Sequence, residues 1–313
     1  MNTPGHFLPE VQQAIDTVNQ LIANAPTGPM ATVFRDIYRQ MAPMGGAPET
    51  LHRVEDISIP GPGGRLPLRI YRPSATDNQA LLVFIHGGSF CMGDLETHDI
   101  ALRSLANTAG CVIAAVDYRL APEHPFPAAL DDCYAALEWT AMHAKDLGAD
   151  PHRIAIGGDS AGGLLAAAVA LRALHNHGPR LAFQTLIYPL LSPNLNSASW
   201  EEFADGPIIT REGVEQGWNY FTPVAADRHQ PDLNPLGAKD CKGLPPTLII
   251  TAEFDPLRDD GATYAKALAL AGIDVSYSEY KGMIHGFALM AGIIPDGRKA
   301  IEEIAMAIRR YCQ

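Results

Sequence analysis

From about residue 54 onward, short apolar segments rich in β-branched residues alternate with longer segments of helical periodicity. The third, fourth and fifth apolar segments are nearly continuous, which is typical of strands that are covered on both faces of a parallel sheet. The predicted strands are Val54–Ile59, Leu66–Tyr71, Leu81–Ile85, Val112–Val116, Arg153–Ile156, Phe183–Ile187, Thr247–Thr251 and Asp274–Glu279. The predicted helices are Thr97–Ala109, Pro127–Leu147, Ala161–His175, Asp259–Ala271 and Arg298–Tyr311. This alternation predicts an α/β fold in which a mostly parallel sheet carries helices on both faces.

One edge of the sheet is predicted to be antiparallel. Between the first two strands there is no helical segment, only Gly61-Pro-Gly-Gly64, which is typical of a hairpin turn. The last strand, Asp274–Glu279, is predicted to leave an open edge at the other side. Because an open edge can pair with a second copy of the chain, we expect a possible homodimer.

Two segments lie outside the alternation. Residues 1–45 contain two amphipathic helical patterns, Glu10–Ala23 and Ala31–Met41. Residues 193–235 interrupt the core with Pro, Asn and Gly and carry several aromatic residues: Trp200, Phe203, Trp218, Tyr220 and Phe221. A long aromatic insertion after a core strand predicts either a cover over a site or a surface for a partner chain.

Composition narrows the class of protein. Apolar residues make up 47% and charged residues 19%, as expected for a globular chain with a sizeable core. The net charge of −12 and the lack of a Lys/Arg cluster argue against nucleic acid or anionic membrane as a partner. We also expect no signal peptide, because the N-terminus has no basic segment followed by an apolar stretch, and no membrane span, because no apolar run reaches about 18 residues. Five scattered cysteines without a C-x-x-C pattern predict free thiols in a reducing cytoplasm.

The strongest chemical signal is Gly158-Asp-Ser-Ala-Gly162, which follows a predicted strand and precedes a predicted helix. A serine hydroxyl becomes a useful nucleophile only when it is exposed, aimed and placed beside a base. A sharp strand-to-helix turn provides the exposure, and small neighbours tolerate its crowded backbone. A phosphate-binding loop is disfavoured because no Lys follows at the required spacing. We therefore predict that Ser160 is a nucleophile.

The second signal is His86-Gly-Gly-Ser-Phe90, at the end of the predicted strand Leu81–Ile85. Attack on an ester carbonyl creates an oxyanion, which needs N–H donors that already point at it. Consecutive glycines let backbone N–H groups approach closely. We predict that Gly87, Gly88 and Ala161 are these donors. We expect His86 to hold the loop by hydrogen bonds and not to transfer protons.

The acid and the base should follow the serine in that chain order. Asp255 lies past the strand Thr247–Thr251, and His285 lies past the last strand. Glu253 and Asp259 remain rivals for the acid, although Asp259 is in the position of a helix cap. With Asp255 as the acid, His285 would accept the serine proton, and an acyl-serine would form and be hydrolysed. This chemistry needs no metal and no organic cofactor.

These motifs, with Asp117-Tyr-Arg-Leu-Ala-Pro-Glu123, Asp255-Pro-Leu and Gly282-Met-Ile-His-Gly-Phe287, resemble the hormone-sensitive-lipase-like esterases, the bacterial family IV carboxylesterases. The resemblance covers the chain from about residue 50 to its end. It implies an eight-stranded α/β-hydrolase domain (46–313) with a helical cap formed by residues 1–45 and an insertion at about 193–235. It also implies that Asp159 and Glu123 support the site without reacting. Ser89 departs from the family pattern, which commonly has a third glycine there.

The resemblance implies hydrolysis of a small ester with a short-to-medium acyl chain. In the cap we expect three aromatic residues to line the substrate pocket: Phe203, Trp218 and Phe221. Two alternatives stay open. One is a receptor without catalysis, like the similar plant gibberellin receptors, which lack the histidine that this chain has at position 285. The other is a serine hydrolase that cleaves an amide, a lactone or an arylformamide.

Overall fold

The computed structural model describes residues 7–238 and 241–312 and contains one eight-stranded sheet. Across the sheet the order is β1-β2-β4-β3-β5-β6-β7-β8. The strands are β1 (Arg53–Gly61), β2 (Gly64–Arg72), β3 (Gln79–Ile85), β4 (Val112–Val116), β5 (Ala149–Asp159), β6 (Phe183–Ile187), β7 (Thr247–Phe254) and β8 (Val275–Ile284). In this spatial order, each strand from β4 across to β8 runs parallel to its neighbour, which confirms the predicted mostly parallel sheet.

The antiparallel edge is also confirmed. β1 and β2 form a hairpin that closes at Gly61 and Gly64, and β2 runs antiparallel to β4. At the other side, β8 pairs with β7 in parallel register. The homodimer expected through that edge remains a prediction.

Helices cover both faces of the sheet, and each face has its own buried cluster. On one face lie α3 (Leu95–Ala109) and α9 (Pro295–Tyr311), which pack on each other and on residues such as Leu82 and Phe84 of β3. On the other face lie α4 (Ala128–Met142), α5 (Ala161–His175) and α8 (Arg258–Leu270). Every residue of β3 is buried, as its continuous apolar pattern predicts.

Several predicted boundaries differ from the structure by a few residues, and the two largest differences are at the end of α4 and at the end of β8. The helix predicted over Pro127–Leu147 ends at Met142, because the chain turns through Gly148, whose φ is +80°, and enters β5 at Ala149. The last strand continues past Glu279 to Ile284. That extension carries the backbone to the residue before His285.

Both segments outside the alternation form helices beside the carboxyl ends of the strands. Residues 9–45 form α1 (Pro9–Ala23), α2 (Met30–Met41) and a 3₁₀ turn at Ala42–Gly45, within one residue of the predicted bounds. Residues 1–6 of the predicted cap lie outside the described part of the chain. The insertion forms α6 (Ala198–Glu202), α7 (Arg211–Phe221) and three short 3₁₀ turns between Ala225 and Gly237. None of the helices in the described residues is long and apolar enough to cross a membrane.

A buried carboxyl group connects α8 to the segment that leaves β6. Asp260 is 3% exposed, and its Oδ2 accepts a hydrogen bond from the backbone N of Leu191 at 3.3 Å. Burial, with smaller contributions from Asp255 and Asp259, raises the pKa of Asp260 to about 7. The unfolded chain would release that proton near pH ~3.9. Between these two pH values the folded chain therefore holds one proton more than the unfolded chain.

We predict that this proton makes the free energy of unfolding fall as pH rises from about 4 through about 7, by at most ~1.4 kcal/mol per pH unit. Asp260→Asn removes the titration, while the amide oxygen can still accept the hydrogen bond. Urea unfolding at several pH values should give a flatter pH dependence for this variant than for the wild type. The matched control is Asp16→Asn, at an exposed position of α1. An identical pH slope in wild type and Asp260→Asn would contradict the prediction.

Candidate active site

Ser160 lies at the sharp turn between β5 and α5. Its φ is +54° and its ψ is −121°, a backbone conformation that residues other than glycine rarely adopt. A Cβ on Gly158 would collide with the carbonyl of Gly162, and a Cβ on Gly162 would collide with the carbonyl of Ile85. The small residues around the serine are therefore a steric requirement of the turn.

Ser160, His285 and Asp255 form a continuous chain of hydrogen bonds. The Nε2 of His285 lies 3.0 Å from the Oγ of Ser160, and its Nδ1 lies 2.7 Å from Oδ2 of Asp255. Asp255 is fully buried, and its other oxygen accepts a hydrogen bond from the backbone N of Leu257 at 2.8 Å. The carboxylate is thus fixed by two partners. This is the geometry of a Ser-His-Asp triad.

The two rival acids have other partners. Oε2 of Glu253 accepts a hydrogen bond from the backbone N of Gly282 at 2.7 Å. Asp259 accepts a hydrogen bond from the backbone N of Ser199 at 2.9 Å and therefore holds α6 of the cap. Of the three candidate acids, Asp255 is the one whose carboxylate oxygen lies within hydrogen-bonding distance of His285.

The N–H of Gly87 does not have its predicted role as an oxyanion donor. Its N–H donates to Oδ1 of Asp159 at 2.8 Å, so it cannot also point at an oxyanion. The expectation that Gly87 is an oxyanion donor is therefore wrong. The next two residues, Gly88 and Ser89, border the cavity that contains Ser160, and neither of their backbone N–H groups donates a hydrogen bond within the described residues.

Ala161 is the first residue of α5, so its N–H has no acceptor within the helix. Together with Gly88 and Ser89 it gives three N–H groups beside the serine. We assign these three groups, and not Gly87, as the candidate oxyanion donors. The sequence analysis overlooked Ser89 because it looked for donors at glycines, although the backbone of any residue other than proline contributes an N–H.

Asp159 holds the start of the loop that follows β3. Its Oδ1 accepts from Gly87 and lies 3.0 Å from Nε2 of His98, whose Nδ1 lies 2.8 Å from the hydroxyl of Thr97. Burial alone would raise the pKa of Asp159, but His98 and the hydrogen bond from Gly87 outweigh it and hold the pKa below its usual value. The ionised carboxylate therefore fixes the first glycine of the loop.

His86 holds the loop that follows β3 by its own contacts, as the sequence predicts. Its Nδ1 lies 2.8 Å from the carbonyl O of Gly87, and its ring stacks on Tyr118 with centroids 4.2 Å apart. Burial, with the proximity of His98, lowers the pKa of His86 to about 4. The ring is therefore neutral near pH 7, and the Nδ1–H donates to the carbonyl.

Glu123 connects to the loop through a residue of the cap. Arg35 of α2 binds both oxygens of Glu123, at 2.9 and 2.6 Å, and also donates to the carbonyl O atoms of Cys91 and Ala121. The hydrogen bond from Arg35 is the largest cause that lowers the pKa of Glu123 to about 2. The sequence analysis missed Arg35, because nothing near it in the chain indicates a partner 88 residues away.

A cavity of about 270 Å³ opens beside Ser160 and His285. Its walls are mostly apolar and come from both cap segments: Val18 and Ile22 of α1, Phe34, Ile37 and Met41 of α2, and Val214 and Tyr220 of α7. The cap therefore closes over the triad. A small apolar substrate could fill such a space.

The three aromatic residues predicted to line this cavity do not border it. Phe203 packs edge-on against Phe254, with centroids 6.0 Å apart. Trp218 and Phe221 are buried and pack on Phe90, behind the cavity wall. On α7 these two share the face that points at Phe90, whereas Gly217 and Tyr220 share the neighbouring face that borders the cavity.

Comparison with known proteins decides the family. A family model described as the alpha/beta hydrolase fold matches residues 82–289. The chain belongs to this family. It is 41% identical to the esterase LipI of Mycobacterium tuberculosis over 262 residues, which cover 82% of each chain. It is 34% identical to an ethyl acetate hydrolase of Pseudomonas putida, with 82% of this chain and 83% of the relative covered.

Solved structures agree with this assignment. A Pyrobaculum calidifontis esterase is 37% identical and has a TM-score of 0.89, with 97% of this chain and 99% of that chain covered. An ester hydrolase from the metagenome of Lake Arreo is 38% identical and has a TM-score of 0.92, with 97% and 99% covered. Together with the hydrogen bonds of Ser160, these relatives show that the protein is a carboxylesterase. They confirm the resemblance to the hormone-sensitive-lipase-like esterases.

The triad geometry predicts the effect of changing the acid. Asp255→Asn should lower kcat by orders of magnitude, because an amide cannot stabilise the imidazolium or hold its tautomer; the loss is ~10⁴-fold in a protease with the same triad. Glu253→Gln is the control and should stay within a few-fold of wild type, because the amide oxygen can still accept from Gly282. Turnover of a p-nitrophenyl ester measures both. A nearly inactive Glu253 variant beside an active Asp255 variant would move the acid role to position 253.

Proposed function

We propose that this carboxylesterase hydrolyses esters with short-to-medium acyl chains, with Ser160 as nucleophile, His285 as general base and Asp255 as its orienting acid. The observation that carries the proposal is the unbroken pair of contacts from Asp255 to His285 and from His285 to Ser160, at 2.7 and 3.0 Å. The imidazole of His285 lies between the other two groups, so one of its nitrogens can exchange a proton with Ser160 while Asp255 binds the other.

In the first half of the reaction, His285 accepts the proton of Ser160 as its oxygen attacks the ester carbonyl. Asp255 stabilises the imidazolium that forms. The imidazolium then gives its proton to the leaving alcohol, and an acyl-serine remains. In the second half, a water molecule attacks the acyl carbonyl and loses a proton to the same imidazole. The bond between the acyl group and Ser160 then breaks, the imidazolium returns its proton to the serine oxygen, and the acid is released.

The carbonyl oxygen becomes negatively charged in both halves. In our proposal the backbone N–H groups of Gly88, Ser89 and Ala161 stabilise that charge. Removal of one such donor typically costs ~3 kcal/mol of the barrier. The N–H of Gly87 contributes indirectly, because its hydrogen bond to Asp159 holds the start of the loop.

The size and lining of the cavity support a limited acyl length. Its volume of about 270 Å³ lies just below the usual range of about 300–1,000 Å³ for small-molecule sites. Each methylene buried against its apolar wall adds ~0.8 kcal/mol of favourable transfer. Where this wall ends, a longer chain must stay in water or displace the cap, and the gain stops.

We propose further that the protein works in a reducing compartment such as the cytoplasm. All five cysteines are buried, and no two of them form a disulfide in the described part of the chain. We also propose that the ligand is a small-molecule ester. Separately, we propose that two copies of the chain pair through the open edge of β8. Size-exclusion chromatography with light scattering measures the oligomeric state.

A series of p-nitrophenyl esters tests the proposed substrate range. We expect kcat/KM to rise from acetate to about butyrate or hexanoate and to fall by dodecanoate, because the gain of ~0.8 kcal/mol per methylene ends at the cavity wall. Ser160→Ala, measured in parallel, gives the uncatalysed background. A maximum at palmitate, or a jump in rate above the solubility limit of the substrate, would make the protein a true lipase and contradict the proposal.

A further inference from the structure

The loop that carries the candidate oxyanion donors has an unusual backbone. Gly88, Ser89 and Phe90 follow one another with φ values of +122°, +49° and +63°. A residue other than glycine is strained in this region and persists there only when its surroundings hold it. Two such residues in succession need specific contacts.

Helix α7 of the cap supplies contacts at both strained residues. The position of a Cβ on Gly217 lies 2.9 Å from Cβ of Ser89 and 2.9 Å from its carbonyl O, so the bare backbone of α7 rests directly on Ser89. One residue further, the ring of Phe90 stacks on Phe221, with centroids 4.0 Å apart and planes at 10°. Trp218 packs on the same ring at 5.1 Å.

Hydrogen bonds hold the loop on either side of Ser89. The carbonyl of Gly88 accepts from the backbone N of Cys91 and of Met92, at 3.0 and 2.9 Å. Ala121 donates to the carbonyl of Phe90 at 3.0 Å, and Arg35 donates to the carbonyl of Cys91. The peptide between Gly88 and Ser89 is thus held through its carbonyl, whereas the carbonyl of Ser89 accepts no hydrogen bond within the described residues and lies against Gly217 of α7 instead.

We propose that Gly217 is a positioning residue for catalysis: its lack of a side chain lets α7 seat on Ser89 and hold this strained residue, and with it the Ser89 N–H, in place beside the oxyanion. The proposal rests on the function proposed above, since it takes Ser89 as an oxyanion donor. The cap then has two roles, because the helix that walls the cavity also sets the geometry of the donors. Gly217 itself need not touch the reacting atoms.

The test is Gly217→Ala. Alanine is the better helix former, so the change should not weaken α7 itself. Its methyl group, however, must push Ser89 or α7 away. Displacement of a catalytic group by about 1 Å can cost ~10²-fold, and loss of one oxyanion donor costs ~10²–10³-fold. We therefore expect kcat for p-nitrophenyl acetate to fall at least ~10-fold, while KM stays within a few-fold, because the donors act mainly in the transition state.

A second variant separates this effect from a general disturbance of the cap. Ser89→Gly in the Gly217→Ala background removes one of the two clashing atoms and the strain at φ +49°. It should recover several-fold of the lost kcat, which a double-mutant cycle measures as coupling between the two positions. Glu215→Ala, exposed on the same helix, is the matched control and should leave kcat and KM unchanged. Circular dichroism and thermal unfolding show whether each variant is folded.

Unchanged kcat in Gly217→Ala would overturn the inference while leaving the proposed function intact. A slow Gly217→Ala variant without recovery in the double variant would also overturn it. If Gly217→Ala fails to fold, the double variant decides: recovered folding and turnover support the inference, and continued misfolding overturns it. A wild-type chain without esterase turnover would overturn the proposed function, and the inference with it.

Discussion

The crowded turn at Ser160 is the constraint on which the rest of the site depends. A serine at φ +54° between a buried strand and a buried helix has its hydroxyl raised from the sheet and the N–H of Ala161 beside it. The same crowding forbids side chains at Gly158 and Gly162, which lie against each other and against Ile85 at the end of β3. The end of β5, the nucleophile turn and the end of β3 therefore pack closely against one another.

Polar contacts extend this unit in two directions. Asp159, next to the nucleophile, binds the N–H of Gly87 and the ring of His98, so the start of the oxyanion loop is fixed from within the core. Arg35 of α2 fixes the end of that loop from the cap and takes Glu123 as its counter-ion. The cap is thus bonded to the parts of the core that carry the chemistry, and the cavity walls and the oxyanion donors share one set of supports.

Local patterns in the sequence were enough to predict the sheet, Ser160 and His285, and they favoured Asp255 as the acid without excluding Glu253 and Asp259. Parallel strands bring their carboxyl ends to one edge, so Asp255 and His285, each just past a strand, had to lie near Ser160. Gly87 was misjudged because its N–H is taken by a carboxylate 72 positions away, and no local pattern records that pairing. Phe203, Trp218 and Phe221 were misplaced because hydrophobicity alone does not tell which face of a helix borders a cavity and which borders Phe90. Long-range pairings and helix rotation are properties of packing.

The central claim is that ester hydrolysis proceeds through an acyl group on Ser160. Intact-mass and peptide mass spectrometry after reaction with a fluorophosphonate measures this most directly, because the reagent is attacked by the same activated oxygen and stays bound. We predict one adduct per chain, located on Ser160, formed in proportion to the loss of esterase turnover. Folded Ser160→Ala should give neither adduct nor turnover. An adduct on another residue that abolishes turnover, or a Ser160→Ala variant that keeps more than a few per cent of wild-type kcat, would contradict the claim.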